Sequence, residues 1–278
     1  MKSNSIDLFI PYMAGDSLCG LQQYVSLPAV RNIFLLSNVV CSTPLPAKVK
    51  PFVVTSLTAD DTFLKMAAAA VSDFVIYFSK GLPQIKAYDL EKFCAALPQS
   101  ATMAYADYYK IIGGEVCEAP TIDYQAGSLR NDFDFGSVLL FRTEALKQYA
   151  ADVIPEYEYA GLYRLRLAMS RVGEIFHYKE FLYTERETDT RKSGEKQFDY
   201  VNPAQREVQI EMEDACTMHL KAIGGCLPAC KYDEIDLSAG DFPVEASVVI
   251  PVLNRASTIG DAIKSVLGQQ TTFPFNII

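Results

Sequence analysis

Acidic side chains are the residues of this sequence with the clearest capacity for chemistry. Asp132 and Asp134 stand two positions apart, a spacing at which two carboxylates can hold one divalent cation, and Asp107 directly follows a predicted strand. Glu156 and Glu158 form a second acidic pair, and either could act as a general base that removes a proton from a hydroxyl group. The alternative for the aspartates is capping and surface solvation. The alternative for the glutamates is a place at the start of a helix, where the dipole favours negative charge.

Basic, histidine and cysteine residues give weaker signals. Lys80 follows the apolar run at residues 74–78, and it could offer a positive charge to a diphosphate or be an ordinary solvated lysine of a turn. His177 and His219 are far apart and lack matching ligands, so we interpret both as structural. The seven cysteines form no disulfide framework and indicate reduced thiols; they are Cys19, Cys41, Cys94, Cys117, Cys216, Cys226 and Cys230.

Composition limits the class of protein. The 278 residues are 50% hydrophobic with a mean hydropathy of +0.08, which is enough apolar material for a sizeable core. The formal net charge is −9 and the pI is about 4.8, so the surface repels phosphate backbones and nucleic acid is not an expected partner. No apolar run reaches the length of a transmembrane segment, and the first residues lack the features of a signal peptide. We therefore expect a cytoplasmic protein, with a peripheral position at the inner face of the membrane as the alternative.

Apolar runs that alternate with helical patterns predict an α/β fold with a mostly parallel sheet. Thr58 is the expected N-cap of an alanine-rich helix, and Asn202–Pro203 and Gly224–Gly225 are expected to begin and end a long helical extension. The organisation that follows is a domain at 1–228, a linker at 229–244 and a strand–helix–strand piece at 245–278. Strands are predicted at residues 6–10, 33–36, 53–54, 74–78, 102–106, 138–142 and 175–183.

An internal repeat links the two ends of the chain. Residues 9–12, Phe-Ile-Pro-Tyr, correspond to residues 249–252, Val-Ile-Pro-Val, at an offset of 240 (251 − 11). Each copy is followed by a polar loop, an amphipathic helix and another apolar strand. Residues 276–278 enter a strand that would need neighbours on both sides. We therefore expect a two-domain chain that is cut at the start of its second domain.

The second copy carries a specific resemblance. The run at residues 247–255, followed by the pattern at residues 259–269, resembles the opening of family-2 glycosyltransferases, which have the GT-A fold. This resemblance implies a Rossmann-type mixed sheet flanked by helices, and a tandem arrangement of bacterial type. It also implies that Pro251, Asn254 and Arg255 lie near the base of a nucleotide-sugar donor. Through the repeat, Pro11 and Tyr12 become the corresponding donor-binding residues of the first domain.

The first domain resembles the same family more loosely. Residues 136–142 are similar to the family's strand beside the acceptor, which implies an acceptor-side role for Arg142, with Asp132 and Asp134 close by. The family's metal-binding D-x-D pair is replaced by residues 79–81, Ser-Lys-Gly, and the position of its general base holds Tyr159 and Ala160. Lys80 and Asp107 are therefore the remaining donor-side candidates, and Asp107 is also the best candidate for a metal. Glu156 and Glu158 are the substitutes for the missing base.

The resemblance implies a function for the intact protein. We expect hexosyl or related transfer from a nucleotide sugar to a glycan or lipid-linked acceptor in cell-surface polysaccharide synthesis, with Mn²⁺ or Mg²⁺ held in the full-length protein. The alternative is a non-catalytic GT-A-like module that binds acceptor or braces a catalytic domain. A third hypothesis is a metal-independent transferase that uses Lys80 or an arginine in place of the cation. Residues 245–278 are expected to dock, to self-associate or to remain mobile, because they cannot bury their apolar face alone.

Overall fold

The structure, a computed structural model, describes residues 4–13, 18–38, 44–154, 156–186, 206–227, 236, 240 and 243–278. The chain divides into two compact units, Met1–Cys226 and Leu227–Ile278. The predicted linker at 229–244 lies largely outside the described residues, so it stays a prediction.

The first unit is built on one mixed sheet of eight strands. The order is β3-β2-β1-β4-β7-β5-β6, and β8 pairs with β5. Pairing is parallel for β1 with β2 and β4, for β2 with β3, and for β5 with β8, whereas β7 and β6 run antiparallel to their neighbours. The predicted fold class is confirmed. The strands are β1 (Ile6–Pro11), β2 (Val30–Ser37), β3 (Val49–Val53), β4 (Phe74–Phe78), β5 (Ala101–Ile112), β6 (Glu115–Ala119), β7 (Val138–Arg142) and β8 (Glu174–Arg186).

Helices cover both faces of this sheet. Helices α1 and α3 contribute Tyr24 and Phe93 to one buried layer, while α2, α4 and α5 contribute Phe63, Leu146 and Leu165 to the other. Side chains of the central strands face one layer or the other, which is why these strands are almost continuous apolar runs in the sequence. The helices are α1 (Gln22–Val25), α2 (Asp60–Ala69), α3 (Ala87–Ala96), α4 (Thr143–Asp152), α5 (Gly161–Val172) and α6 (Arg206–Ala222), with a 3-10 turn at Cys19–Leu21.

Two helix predictions can be compared with the structure. The prediction that Thr58 caps α2 is wrong, because the N-cap is Ala59 and the Thr58 hydroxyl donates to the Glu158 carbonyl instead. The helical extension is present as α6, which buries Ala215 and His219 as expected and is followed by Gly224 at a φ of 72°. Its predicted start at Asn202–Pro203 lies outside the described residues.

The second unit is a single strand–helix–strand element. Strands β9 (Ala246–Val248) and β10 (Phe275–Ile277) pair in parallel, and α7 (Ala256–Leu267) connects them. No residue of α7 is buried. The predicted element order at 245–278 is confirmed. Throughout the described part of the chain, every helix is too short or too polar to cross a bilayer.

Candidate functional site

The strand order of the first unit creates a switch point. From β1 the chain proceeds to β2 and β3 on one side, and β4 then pairs with the other side of β1. Open α/β sheets bind ligands in the crevice at the carboxyl ends of such strands. A cavity of about 260 Å³ lies here, lined by Pro11 and Tyr12 at the end of β1 and by Gly81 and Leu82 after β4. We call it the switch crevice.

A second cavity adjoins the switch crevice. It measures about 210 Å³, shares Pro11 and Tyr12, and extends along the ends of β2 and β3 to Ser37, Asn38 and Leu57. The two predicted residues at the end of β1 therefore stand between two neighbouring cavities at the carboxyl edge of the sheet. We call this second space the outer crevice.

Lys80 stands in another cavity of the same edge, which we call the lysine cavity. It measures about 240 Å³ and is also lined by Ser137 and Glu185. The Lys80 Nζ atom lies 3.1 Å from Glu185 Oε1; the lysine side chain is 59% exposed and the glutamate 9% exposed. The ammonium group of Lys80 thus has a carboxylate partner from the end of β8, which the sequence analysis did not identify.

A larger cleft of about 380 Å³ contains the acidic pair. The loop before β7 contributes Asp132 and Asp134, the segment after β4 contributes Lys80, and Tyr159, just before α5, also lines the cleft. We call this space the aromatic cleft, because Phe133 and Phe135 also line it. The structure therefore brings Asp132, Asp134 and Lys80 together in one cleft. The sequence predicted the two aspartates as neighbours but placed Lys80 apart from them, on the donor side.

Both aspartates of the aromatic cleft already have partners. Asp134 accepts hydrogen bonds from the Tyr108 hydroxyl and from the Gly136 amide, each at 2.9 Å. Asp132 is 71% exposed and pairs with Arg130 at 2.9 Å, and hydrogen bonding from that guanidinium holds the pKa of Asp132 below its ordinary value. Asp134 therefore fixes the loop, while Asp132, whose partner Arg130 is itself exposed, is the less constrained of two exposed acids.

Gly136 is required by the shape of this loop. Its φ is 67°, a conformation that favours glycine, and a Cβ atom would lie 2.1 Å from the Tyr183 hydroxyl oxygen. That hydroxyl accepts a hydrogen bond from the Ser137 amide at 2.6 Å. The glycine lets the loop approach β8 closely enough for this contact, which sets where β7 begins.

Arg166 is a buried residue to which the sequence analysis gave no site role. It is 3% exposed and donates from Nη1 to the Ser128 carbonyl at 2.8 Å. The rings of Tyr124 and Tyr163 lie 5.8 and 4.9 Å from its guanidinium carbon. Arg166 therefore holds the segment before the aspartates against α5. The sequence carries only a weak signal for this role, namely that Arg166 stands beside the apolar positions of a predicted helix. Its partners lie about 40 residues away in the sequence, so no local pattern predicts the contacts.

The two predicted catalytic glutamates do not line the aromatic cleft. Glu156 is 56% exposed, with Oε2 4.0 Å from Arg164, and Glu158 is exposed. The backbone fixes this outcome, because the Glu156 amide donates to the fully buried Asp60 and the Glu158 amide donates to Glu211. Tyr159 reaches the cleft from this segment instead.

Asp107 is placed differently from its predicted donor or metal role. Its Oδ1 atom accepts hydrogen bonds from the Thr121 amide at 2.7 Å and the Thr121 hydroxyl at 2.8 Å, and lies 2.9 Å from His177 Nε2. Burial raises its pKa, but the hydrogen bonds from His177 and Thr121 outweigh burial and lower the pKa. Asp107 lines none of the four cavities above; it fastens the start of the loop that leads to the aspartates.

His177 has a structural role, in which both ring nitrogens and the face of the ring make contacts. Its Nδ1 atom lies 2.7 Å from Asp123 Oδ1, its Nε2 atom faces Asp107, and its ring stacks on Tyr105 at 4.8 Å. Within the described ranges, no group of three or more His, Cys, Asp or Glu side chains is arranged to hold a metal ion. The cluster is therefore a tether between β5, β8 and the loop after β6.

Arg142 lies at the opposite end of the sheet from the other acceptor-side candidates. It pairs with Phe74 at the start of β4, and its guanidinium donates to the carbonyls of Ala101 and Pro98 at 3.1 and 3.0 Å. Because β7 is antiparallel to β4, the last residue of β7 meets the beginning of β4, not its carboxyl end. The predicted acceptor-side position of Arg142 is wrong.

Three predicted donor-binding residues belong to the second unit. Pro251, Asn254 and Arg255 are exposed and lie in the connection between β9 and α7. Asn254 has a φ of 54°, and Arg255 precedes the first residue of the helix. Their part in donor binding stays a prediction.

Comparison with known proteins bears on the fold. No protein-family model and no curated protein sequence matches the chain. Two crystal structures of S. aureus TarS 1–349, one of them in complex with UDP, are similar to this chain with a TM-score of 0.52 at 10% and 11% identity. Each match covers 78% of this chain, which spans 65% of the TarS chain. Glucosyl-3-phosphoglycerate synthase from Mycobacterium tuberculosis in complex with UDP matches over 77% of this chain and 80% of its own at 12% identity. Its TM-score of 0.47 is too low to support a common fold. The first unit thus has the GT-A-like, Rossmann-type α/β fold that the family-2 glycosyltransferase resemblance implied.

Proposed function

We propose that this protein transfers a sugar from a nucleotide-sugar donor to a hydroxyl group of a glycan or lipid-linked acceptor in cell-surface polysaccharide synthesis. The observation that carries the proposal is the pair of cavities at the switch point of the sheet, which meet at Pro11 and Tyr12. Ligands of open α/β sheets bind at this position. The UDP complex of TarS, a protein with the same fold, supports a nucleotide as the ligand.

The donor nucleotide fits the switch crevice and the outer crevice taken together. Tyr12 offers an aromatic side chain to a base, and Ser37, Asn38 and Ser56 bring polar groups to the end of β2 and to the segment after β3. The backbone after β4, at Gly81 and Leu82, lines the side of the crevice toward Lys80. A diphosphate on this side would lie near the ammonium group, whose charge Glu185 partly offsets.

The described part of the first unit does not fit a divalent cation. Asp134 already accepts two protein hydrogen bonds, Asp132 is paired with Arg130, and Lys80 lines the same cleft with a positive charge. Mn²⁺ and Mg²⁺ are usually held by several free oxygen ligands, and two carboxylates whose four oxygens already accept hydrogen bonds from the protein are not such a set. This donor set favours metal-independent chemistry for the first unit, with Lys80 as the available cation.

An acceptor hydroxyl requires a base, and the aromatic cleft offers one. Asp132 is a highly exposed carboxylate of this cleft, and its lowered pKa keeps it ionised at neutral pH. We therefore propose Asp132, in place of Glu156 and Glu158, as the group that accepts the proton of the attacking hydroxyl. Tyr159, which lines the same cleft, would orient that hydroxyl.

A second candidate function is a non-catalytic module that binds a glycan acceptor or braces a catalytic domain. The exposed positions of Glu156 and Glu158 outside the aromatic cleft favour it. Lys80→Ala separates the two candidates: it should lower turnover by a metal-independent transferase and leave binding by a module nearly unchanged.

Calorimetric titration with UDP, GDP and their sugars, each with and without Mn²⁺, tests the main proposal. We expect binding that does not need the metal and that Tyr12→Ala weakens by about tenfold, the effect of losing one base–aromatic contact. Tyr88→Ala, an exposed tyrosine on α3, is the matched control. If no nucleotide binds the chain under any condition, the proposed donor site of the first unit is refuted.

A further inference from the structure

The lysine cavity contains two buried polar atoms without partners. Among the described residues, Glu185 Oε2 and Ser137 Oγ make no hydrogen bond. The two residues are 8% and 1% exposed, and both line the cavity beside Lys80. Buried polar atoms are nearly always hydrogen-bonded in folded proteins, so two unpartnered atoms in one cavity point to a partner that the described residues do not supply.

The surroundings hold both orphaned groups in place. Lys80 Nζ lies 3.1 Å from Glu185 Oε1, which leaves the other carboxylate oxygen available. The Ser137 amide donates to the Tyr183 hydroxyl and its carbonyl accepts from the Ser79 amide at 2.9 Å, so its backbone is fixed. Neither side chain therefore has to be reorganised to receive a ligand.

The charges of the cavity select the chemistry of that ligand. Glu185 would repel an anion, and Lys80 would repel a metal cation or an ammonium group. A hydroxyl group is complementary to all three side chains, because it can donate to Glu185, accept from Lys80 and do either with Ser137. The apolar residues Leu82 and Ile111 provide a surface for C–H groups. We propose that the lysine cavity binds the hydroxyl groups of a neutral sugar; the choice of a sugar over another polyol rests on the proposed function.

Saturation-transfer NMR of the whole chain with free monosaccharides tests this proposal. The probes are glucose, galactose and N-acetylglucosamine, compared with glucuronate as the anionic analogue. At least one neutral sugar should receive saturation, and glucuronate should bind more weakly. Absence of saturation for every neutral sugar would mean that water satisfies the two atoms, and would overturn the proposal.

Two variants and one control locate the binding. Glu185→Gln should weaken sugar binding about fivefold, because hydrogen bonds to a charged acceptor are stronger than those to a neutral one. Ser137→Ala should weaken it about threefold without lowering the melting temperature, since the hydroxyl it removes has no partner in the protein. Ser72→Ala is the control, because Ser72 Oγ is also buried and unpartnered but lies before the start of β4, at the other end of the strand. Equal sugar binding by all three variants would overturn the proposal.

Nucleotide titration separates this proposal from the function on which it rests. If the neutral sugar binds and both variants weaken it while UDP fails to bind, the lysine cavity is a sugar site and the donor proposal is wrong. If UDP binds normally and the sugar does not, the donor proposal stands and the lysine cavity does not bind sugars.

Discussion

Replacing Glu211 by alanine should detach the start of α5 from α6. The Glu211 carboxylate accepts hydrogen bonds from the amides of Glu158, Tyr159 and Ala160, at 3.1, 2.7 and 3.0 Å. These amides stand directly before Gly161, the first residue of α5. Ala160 is the N-cap residue, and amides at this end of a helix have no partner within it, so Glu211 caps α5 at Ala160 and fastens the two residues before it.

The magnitude follows from two known effects. Loss of a capping side chain destabilises a protein by about 0.5–2 kcal/mol, and loss of a negative charge near a helix N-terminus adds about 0.3–1 kcal/mol. Water can reach part of the freed backbone, because Glu158 is exposed and Tyr159 half-buried. We therefore expect Glu211→Ala to lower the free energy of unfolding by about 2 kcal/mol, and Glu211→Gln by about half of that.

Thermal and urea unfolding measure this effect. For a domain of about 200 residues, 2 kcal/mol corresponds to a decrease of about 4–8 °C in the melting temperature. Glu213→Ala is the matched control, because Glu213 is an exposed glutamate on the same helix. Equal melting temperatures for the two alanine variants would refute the view that Glu211 caps α5. A second consequence is weaker ligand binding in the aromatic cleft, since the cap also positions Tyr159.

Three further predictions concern backbone strain and pH. Gly136→Ala should destabilise the chain by about 2 kcal/mol or more in urea unfolding, because alanine at a φ of 67° is strained and its Cβ would meet the Tyr183 hydroxyl; equal stability would contradict this. Burial and then Arg171 hold the pKa of His219 below 6.5, so the unfolded chain binds the proton more readily and stability should fall as pH decreases below about 6.5. His219→Asn, which keeps an acceptor for Arg171, should remove this pH dependence in melting experiments. Asp107→Asn should be less stable by about 1 kcal/mol at pH 7 and should converge with the unaltered chain in strong acid, because the lowered pKa of Asp107 stabilises the fold only while the carboxylate is ionised.

The central strands could be predicted because their sequence signal is local. The runs that form β1 and β4 are apolar except for Asp7 and face a buried layer on each side, so burial and sequence carry nearly the same pattern. Strand β6 escaped prediction, since its residues 115–119 alternate between exposed and half-buried and it lies at the edge of the sheet. The pattern of such a strand differs little from that of a surface loop.

The candidate site was predicted only where position along a strand decided it. Pro11, Tyr12 and Lys80 lie at or just after the ends of parallel strands, so the strand order brings them to one edge. Glu211 and Arg166 act on residues about 40 or 50 positions away, and no spacing in the sequence predicts such contacts. Arg142 was misplaced because a sequence pattern does not show that a strand runs antiparallel.

The pairing of charges at the carboxyl edge has a consequence for donor binding. Sites that bind a diphosphate by electrostatics usually keep a cation free of counter-charges, yet Lys80 is joined to Glu185 at 3.1 Å. If the diphosphate lies near Lys80, Glu185→Gln should tighten UDP binding by about threefold, because it removes a like charge in a partly exposed setting where such effects are near 1 kcal/mol. The gain should shrink as salt is added, since screening weakens the contribution of exposed charges. UDP affinity that is equal in both proteins at low salt would mean that the diphosphate lies away from Lys80, and would remove this lysine from the donor site.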